Sequence, residues 1–143
     1  YDAIILACAG LIRLGFEDRI RQPLDAQTSL PAVGQGALGI ENRKGDETVR
    51  ELIKPLIDSK TMTEVLAERA MNATLEGSCS VAIAGYAATM GEELLLKGLV
   101  GNVESGSILR AESSGSISQP GALGELVANQ LLAIGAGKLL EGV

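Results

Sequence analysis

The central part of the chain, residues 81–113, reads VAIAGYAATMGEELLLKGLVGNVESGSILRAES. Here the sequence takes on the two-residue period of half-buried strands, over the segments Val81–Met90, Glu92–Val100 and Ser107–Ser113. Glycines supply the predicted turns, at Gly91, Gly101 and Gly106. Because the connections are short, the pattern predicts a three-stranded antiparallel meander.

A predicted helix lies on each side of this sheet in the sequence. The first opens with the capping-box spacing Thr61–Glu64 and continues to about Leu75. Its predicted apolar face, which also carries Arg69, consists of Met62, Val65, Leu66 and Ala73. The second places apolar residues at helical spacing, at Leu123, Leu126, Val127, Leu131 and Ile134. Residues 58–143 are therefore predicted to form a self-sufficient α+β unit with helices packed on the sheet.

Residues 1–57 are predicted to contain strands without an obvious way to close on one another. The apolar run Asp2–Ala9 is typical of a strand covered on both faces of an α/β sheet. Further strands are predicted at Arg19–Gln22 and Ala37–Arg43, and helices at Ala9–Gly15 and, with Asp46 as N-cap, Val49–Ile57. Since the chain also begins at Tyr1, next to the apolar run, we expect a piece of a longer protein.

Composition excludes several classes of function. The 143 residues include no histidine, so Ser-His or Cys-His catalytic pairs and histidine-ligated metals cannot be built from them. A net charge of −6 and 2% aromatic residues are unlike the basic, stacking surfaces that bind nucleic acids. The longest apolar run, Ala3–Leu11, is too short to span a bilayer. Two cysteines, Cys8 and Cys79, cannot form a disulfide framework, which suits a reducing cytoplasm.

A glycine-rich loop and two thiols are the first candidates for a site. Gly34–Gly39 spells the dinucleotide fingerprint G-x-G-x-x-G, but it lacks the preceding strand and following helix, so a tight loop entering a strand is favoured. Cys8 lies inside an apolar run, where a thiol behaves as a small hydrophobe. Cys79 follows a helix end, and the residues alone favour an unreactive loop thiol there.

Three arginines form the second group of candidates. Arg69, on an apolar helix face, must reach solvent, pair with a carboxylate such as Glu68, or meet an anion. Arg13 follows a predicted strand through a short turn, and Arg43 ends another. Each alone is typical of a surface charge, but together with the Gly34–Gly36 loop they could surround an anionic ligand.

Several segments of the chain, in the same order and at similar spacing, resemble one family. They are LPAVGQGALGIE at residues 30–41, ERAMN at 68–72, LEGSC at 75–79, and the opening residues 1–14. Together they closely resemble hydroxymethylbilane synthase, also called porphobilinogen deaminase. The resemblance runs through the whole chain and is most specific around Cys79 and the Gly34–Gly39 loop.

The resemblance implies an enzyme, a transferase of haem biosynthesis, that condenses four porphobilinogen molecules into linear hydroxymethylbilane with release of ammonia. In the family, a cysteine in an L-E-G-x-C loop carries a dipyrromethane cofactor through a thioether bond, and that position is Cys79 here. A soft thiolate suits this role because deaminated porphobilinogen is electrophilic. By similarity, the further candidates are Arg13 and Arg43 for the pyrrole carboxylates and Gln35, Gly36 and Ala37 for hydrogen bonds to the cofactor. No metal is implied.

Two features depart from the family's pattern. Proline usually follows the cofactor cysteine by two or three residues, whereas here Ala82 does; this loosens the loop without removing the thiol chemistry. The family's catalytic aspartate belongs to an N-terminal domain that nothing here matches, so no catalytic residue is assigned. Arg69 is a weaker candidate than Arg13 and Arg43.

The resemblance also implies domain boundaries. Residues 1–30 would end a second domain, 31–57 would return to the first, and 58–143 would be a third, cofactor-carrying α+β domain; the first two segments would be part of a periplasmic-binding-protein-like α/β unit. The chain alone is expected to be inactive and without cofactor, and to be able to self-associate through the apolar surface that the missing half would cover. The intact enzyme is expected to be a cytoplasmic monomer without nucleic-acid or membrane partners. The alternative is a non-catalytic module of periplasmic-binding-protein-like ancestry that binds a ligand or self-associates.

Overall fold

The computed structural model describes residues 1–75 and 82–140. A three-stranded antiparallel sheet forms its centre, in the order β1 (Ala82–Met90), β2 (Glu93–Gly101) and β3 (Ile108–Ser116). The register pairs Ala87 with Leu96 and Leu96 with Ser113, so one face of each strand points to the same side. The predicted meander is confirmed. Gly91 and Gly106 turn the chain with positive φ, whereas Gly101 ends β2 instead of forming a turn.

Two long helices cover one face of the sheet. They are α3 (Ser59–Thr74) and α4 (Pro120–Ala133), which pack against each other and against the strands; α5 (Ala136–Leu140) follows and was not predicted. Alternate residues of β2 point into the core, where they meet α3 and α4. The largest fully buried side chains are Met71, Leu94, Leu96, Val100, Val127 and Leu131. The α+β unit predicted from the sequence is therefore present.

Two paired glycines let α3 approach the sheet closely. Gly85 of β1 lies directly opposite Gly98 of β2. A Cβ atom at Gly98 would lie 2.5 Å from Sδ of Met71, and one at Gly85 would lie 2.6 Å from its Cε. The Met71 side chain thus occupies the space that two side chains would otherwise fill, directly on the sheet backbone.

The buried face of α3 differs from the prediction. Met62 and Leu66 are about half exposed, and Arg69 is exposed as well. The residues that point inward are Ala67, Glu68 and Met71. The predicted capping box is also wrong, because Asp58 is the N-cap and accepts the Thr61 N–H at 2.7 Å. Compared with the predicted face, the helix is rotated so that Glu64 and Glu68 lie toward β1.

The predicted apolar face of α4 is buried at three of its five positions. Leu123, Val127 and Leu131 are buried, but Leu126 and Ile134 are exposed. The two small residues Gly124 and Ala128 take the remaining buried places. Small residues contribute little to an apolar pattern, yet they are what permits close helix packing.

Residues 1–57 contain two short helices and no strand within the described chain. The helices are α1 (Cys8–Arg13) and α2 (Glu47–Ile53), each followed by a 3-10 turn, Glu17–Arg19 and Lys54–Leu56 respectively. Both helix predictions hold approximately, and Asp46 caps α2 by accepting the Val49 N–H at 3.2 Å.

The strands predicted at Asp2–Ala9, Arg19–Gln22 and Ala37–Arg43 are wrong for this structure. The side chains of Ile4 and Ile5 are 70% and 81% exposed, so the apolar run is not covered. A strand needs a neighbouring strand to accept and donate its backbone hydrogen bonds. None of these three segments forms backbone hydrogen bonds with a neighbouring strand among the described residues.

Candidate functional site

Residues 32–37 form a compact double turn, the Gly34 turn. The Gln35 N–H donates to the Ala32 carbonyl at 3.0 Å, and the Ala37 N–H donates to the Gly34 carbonyl at 3.1 Å. Gly34 and Gly36 have φ values of +73° and +87°, which only glycine adopts without strain. Gln35 and Gly36 are exposed, and the Gly36 N–H makes no hydrogen bond to any described residue. The turn therefore presents one side chain and one backbone donor outward.

This turn is attached to the edge of β1. The Gly85 N–H of that strand donates to the Pro31 carbonyl at 3.0 Å. A Cβ atom at Gly85 would lie 3.4 Å from Cγ2 of Val33, so the missing side chain leaves room for the incoming loop. Residues 31–34 thus dock along the strand, although they are far from it in sequence.

Two glutamates of α3 bind the next two outward N–H groups of the same edge. Oε1 of Glu68 accepts the Ala87 N–H at 2.8 Å, and Oε1 of Glu64 accepts the Thr89 N–H at 2.8 Å. Residues four apart on a helix are about 6 Å apart along its axis, close to the spacing of alternate strand residues. The two carboxylates therefore match two successive outward N–H groups of β1, which explains why α3 turns them inward. An unpaired strand edge is a template for association with another chain, and here three successive outward N–H groups, those of Gly85, Ala87 and Thr89, are occupied.

Glu68 also reaches the turn. Its second oxygen, Oε2, accepts the Gly34 N–H at 2.7 Å, and the residue is only 6% exposed. One carboxylate thus joins α3, β1 and the Gly34 turn.

Cys79 lies outside the described residues. Its neighbours in the described chain are Leu75, the C-cap of α3, and Ala82, the first residue of β1. Leu75 is buried and donates its N–H to the Met71 carbonyl at 3.0 Å. The Gly34 turn therefore docks on the two elements between which Cys79 lies in the sequence.

The three arginines do not come together around the turn. Arg13 is exposed at the last turn of α1, and Arg69 is exposed on α3. Arg43 is exposed and approaches Asp46 at 3.9 Å. Across residues 1–75 and 82–140, no hydrogen bond or ion pair links any of these three guanidinium groups to the Gly34 turn.

A shallow pocket on the uncovered face of the sheet was not predicted. It measures about 450 Å³ and lies between residues 26–30 and the middle of β2 and β3. Its charged lining consists of Lys97, Arg110 and Glu112, and Lys97 approaches Glu112 at 3.8 Å. Because the opposite charges partly cancel, this pocket is not a strong anion site.

The described residues also lack two other kinds of site. They hold no group of three or more histidine, cysteine or acidic side chains placed to bind a metal ion. Within the same ranges, no helix combines the length and the apolar character that crossing a bilayer requires.

Sequence reasoning missed Glu64 and the structural use of Glu68. The signal was present, since two acids stand one helical turn apart on a helix that must pack on a sheet. It was not decisive, because the same spacing is typical of a solvated helix face. The partners of these carboxylates are backbone groups, which the sequence does not mark.

Comparisons with known proteins cover nearly the whole chain. Residues 1–51 match the family model described as "Porphobilinogen deaminase, dipyromethane cofactor binding domain", and residues 62–133 match "Porphobilinogen deaminase, C-terminal domain". Over 141 residues, or 99% of the chain, it is 57% identical to "Porphobilinogen deaminase" of Ruthia magnifica subsp. Calyptogena magnifica. It is 52% identical over the same length to that of Vesicomyosocius okutanii subsp. Calyptogena okutanii (strain HA). The chain spans about half of these relatives, 46% of each.

Proposed function

This chain belongs to the porphobilinogen deaminase family, and from that premise we propose that it supplies the C-terminal half of a hydroxymethylbilane synthase. The complete enzyme would be a transferase that condenses four porphobilinogen molecules into linear hydroxymethylbilane, with release of ammonia. The observation that carries the proposal is the 57% identity over 99% of the chain. The matched stretch covers 141 of the 143 residues, so it includes the Gly34 turn and Cys79.

Cys79 is proposed as the covalent attachment point of the dipyrromethane cofactor. It lies within residues 62–133, which match the C-terminal domain model, whereas residues 1–51 match the model named for cofactor binding. Both parts of the chain would thus take part in holding one group. When bound, dipyrromethane supplies the primer to which new pyrrole units are added.

The Gly34 turn fits a role beside this cofactor. Gln35 is exposed and carries an amide, and Gly36 is exposed and has an N–H that makes no hydrogen bond to any described residue, so both can donate a hydrogen bond. The Ala37 N–H is already used inside the turn, so Ala37 can contribute only its carbonyl or its methyl group. Docking of the turn on α3 and β1, the elements that flank Cys79 in sequence, supports this placement.

Arg13 and Arg43 are proposed to bind pyrrole carboxylates in the complete enzyme. Both are exposed, and Arg43 is only weakly held, since its contact with Asp46 is long at 3.9 Å and its side chain is 86% exposed. Arginine suits this task because its guanidinium group forms paired hydrogen bonds with a carboxylate. Arg69 is exposed on α3 and keeps the weaker assignment.

The domain organisation follows from the same proposal. Residues 1–30 would complete a second domain and residues 31–57 would return to a first, both in an α/β unit like that of periplasmic binding proteins. The exposed apolar side chains of Ile4 and Ile5 support this, because a covering layer would bury them. Residues 58–143 would form the third domain. The complete enzyme is proposed to act in the cytoplasm as a monomer.

Intact-mass measurement tests the cofactor assignment. The chain is mixed with the N-terminal half of a relative and incubated with porphobilinogen. We expect a covalent adduct of dipyrromethane mass on the parent chain and on Cys8→Ser, and none on Cys79→Ser. Cys8 is the matched control because it is the other thiol of the chain. A bare thiol on the parent chain would instead favour a non-catalytic binding module.

A second experiment tests the dependence on the N-terminal half. The chain alone, incubated with porphobilinogen, is expected to release no hydroxymethylbilane, because it matches less than half of its relatives and lacks an assigned catalytic aspartate. Steady production by the isolated chain would refute this part of the proposal.

A further inference from the structure

We propose that Glu68 is a positioning residue that holds the Gly34 turn against β1, and thereby sets where Gln35 and Gly36 are presented. The consequence for a cofactor rests on the function proposed above. The holding of the turn does not, because it follows from contacts within the described residues.

Both carboxylate oxygens of Glu68 are committed to backbone donors. Oε1 accepts from Ala87 in the strand at 2.8 Å, and Oε2 accepts from Gly34 in the turn at 2.7 Å. The side chain is buried, so water cannot readily replace either bond. A carboxylate is the side chain best suited to this position because it offers two acceptors and no donor.

Glu64 is a useful comparison, because it binds the same strand edge without contacting the Gly34 turn. It lies one turn earlier on α3, and its hydrogen bond to β1 uses one oxygen, Oε1, on Thr89. That single bond satisfies the outward N–H of Thr89. The second bond of Glu68 is different, since it leaves the helix and sheet and reaches a segment 34 residues earlier in the chain.

The turn itself is built to receive this bond. Gly34 and Gly36 both have positive φ, yet only Gly34 directs its N–H to a described partner outside the turn. Pro31 and Val33 hold the approach to Gly85 on the same edge. Loss of the Glu68 bond would therefore free the tip of the turn, residues 34–37, while leaving its base on the strand.

Amide hydrogen exchange of the chain tests the proposal, with Glu68→Gln as the variant and Glu64→Gln as the matched control. A glutamine has one acceptor oxygen, so at position 64 it can reproduce the single bond, but at position 68 its NH₂ group must face one of two donors. We expect Glu68→Gln to keep the Ala87 bond, which the strand fixes, and to release Gly34. Exchange at Gly34 should become about 10- to 100-fold faster, as expected for loss of a buried hydrogen bond. Glu64→Gln should leave it unchanged.

Two outcomes would overturn the proposal. One is an unchanged Gly34 exchange rate in Glu68→Gln. The other is a uniform acceleration over α3 and all three strands, which would indicate general destabilisation. If Glu68→Gln does not fold, the parent chain gives the answer: Gly34 must exchange at least about 10-fold more slowly than Gly36 of the same turn. Equal protection of the two glycines would contradict the assignment.

The adduct experiment separates this inference from the proposed function. In the mixture with the N-terminal half of a relative, Glu68→Gln is expected to slow adduct formation on Cys79, and Glu64→Gln is not. If the parent chain forms no adduct while Gly34 exchange responds to Glu68→Gln, the proposed function fails and the positioning role stands. If adduct forms at the parent rate although Gly34 is released, the turn has no part in holding the cofactor.

Discussion

Gly124 is the residue on which the crossing of α3 and α4 depends. A Cβ atom there would lie 2.6 Å from Cβ of Ala70 and 2.7 Å from the Met71 backbone nitrogen, and it would also meet the Ala67 carbonyl. Two of these three contacts are backbone atoms, which cannot move aside without shifting the helix. Sequence gives little warning of this, because glycine in a helix usually lowers its stability.

Replacing Gly124 by alanine is therefore expected to destabilise the chain, against the normal preference of helices for alanine. The gain in helix propensity is at most about 1 kcal/mol, while overpacking of a tight core typically costs about 1–3 kcal/mol. We expect a net loss of about 1–2 kcal/mol in urea unfolding. Gly121→Ala is the control in the same helix, since a Cβ there meets nothing within 4 Å. It should be neutral or slightly stabilising, and a Gly124→Ala chain as stable as the parent would contradict the packing described here.

The strands and the two long helices of the C-terminal unit could be predicted from the sequence, because hydrophobic period and turn residues are local signals. The three strands and the two long helices lie within a few residues of their predicted limits. The orientation of α3 could not be predicted, since Glu64 and Glu68 point inward to reach backbone N–H groups that lie far away in sequence. The strands predicted in residues 1–57 failed for a related reason. Their apolar patterns are real, but a strand forms only where another strand pairs with it.

The candidate site shows the same division. The Gly34 turn was identified because its glycines spell a recognisable motif, and the structure confirms a tight loop there. The strand expected after it is not formed, and the role of Glu68 depends on a tertiary contact. Cys79 was identified by resemblance alone and lies outside the described residues, so its role remains a prediction.

The start of α3 provides a prediction about pH. Asp58 accepts the Thr61 backbone N–H, and this bond, followed by one with the Thr61 side chain, lowers the pKa of the carboxyl group below its ordinary 3.8. A depressed pKa in the folded state means that the stabilisation is present above about pH 4 and is lost as the pH falls through the folded value. A carboxyl-detected NMR titration should find the Asp58 pKa below 3.8.

Two variants separate the hydrogen bond that Asp58 accepts at the start of α3 from the effect of its negative charge. Asp58→Asn keeps a side-chain acceptor for the Thr61 N–H but does not titrate, so the difference in stability between parent and variant should shrink as the pH falls. Asp58→Ala removes the acceptor and should lower the melting temperature by a few degrees at neutral pH. If Asp58→Ala melts at the same temperature as the parent, Asp58 does not cap α3.

At the scale of the whole molecule, the C-terminal part of the chain is well packed, whereas most of residues 1–57 makes few buried contacts. Among the described residues, the largest fully buried side chains belong to α3, α4 and β2. The main contacts of α1 and α2 are with the short turns that follow them. Residues 31–34 are an exception, because Pro31 and Gly34 form hydrogen bonds with β1 and Glu68. Stability should therefore depend strongly on α3, the sheet and α4, to a lesser extent on residues 31–34, and weakly on residues before 25.

Two truncations test this distribution of stability. Removing residues 1–24 takes away α1 and the exposed apolar run, and we expect the melting temperature to stay within about 2 °C of the parent value, since little buried surface is lost. Removing residues 1–36 also deletes the partners of Gly85 and Glu68. Each lost hydrogen bond costs about 0.5–1.5 kcal/mol, and about 1 kcal/mol corresponds to 4–8 °C in a domain of this size. The longer truncation should therefore melt several degrees lower. Equal melting temperatures for the two truncated chains would mean that residues 31–34 do not stabilise the C-terminal unit, while a large loss in the shorter truncation would mean that residues 1–24 pack more tightly than the structure indicates.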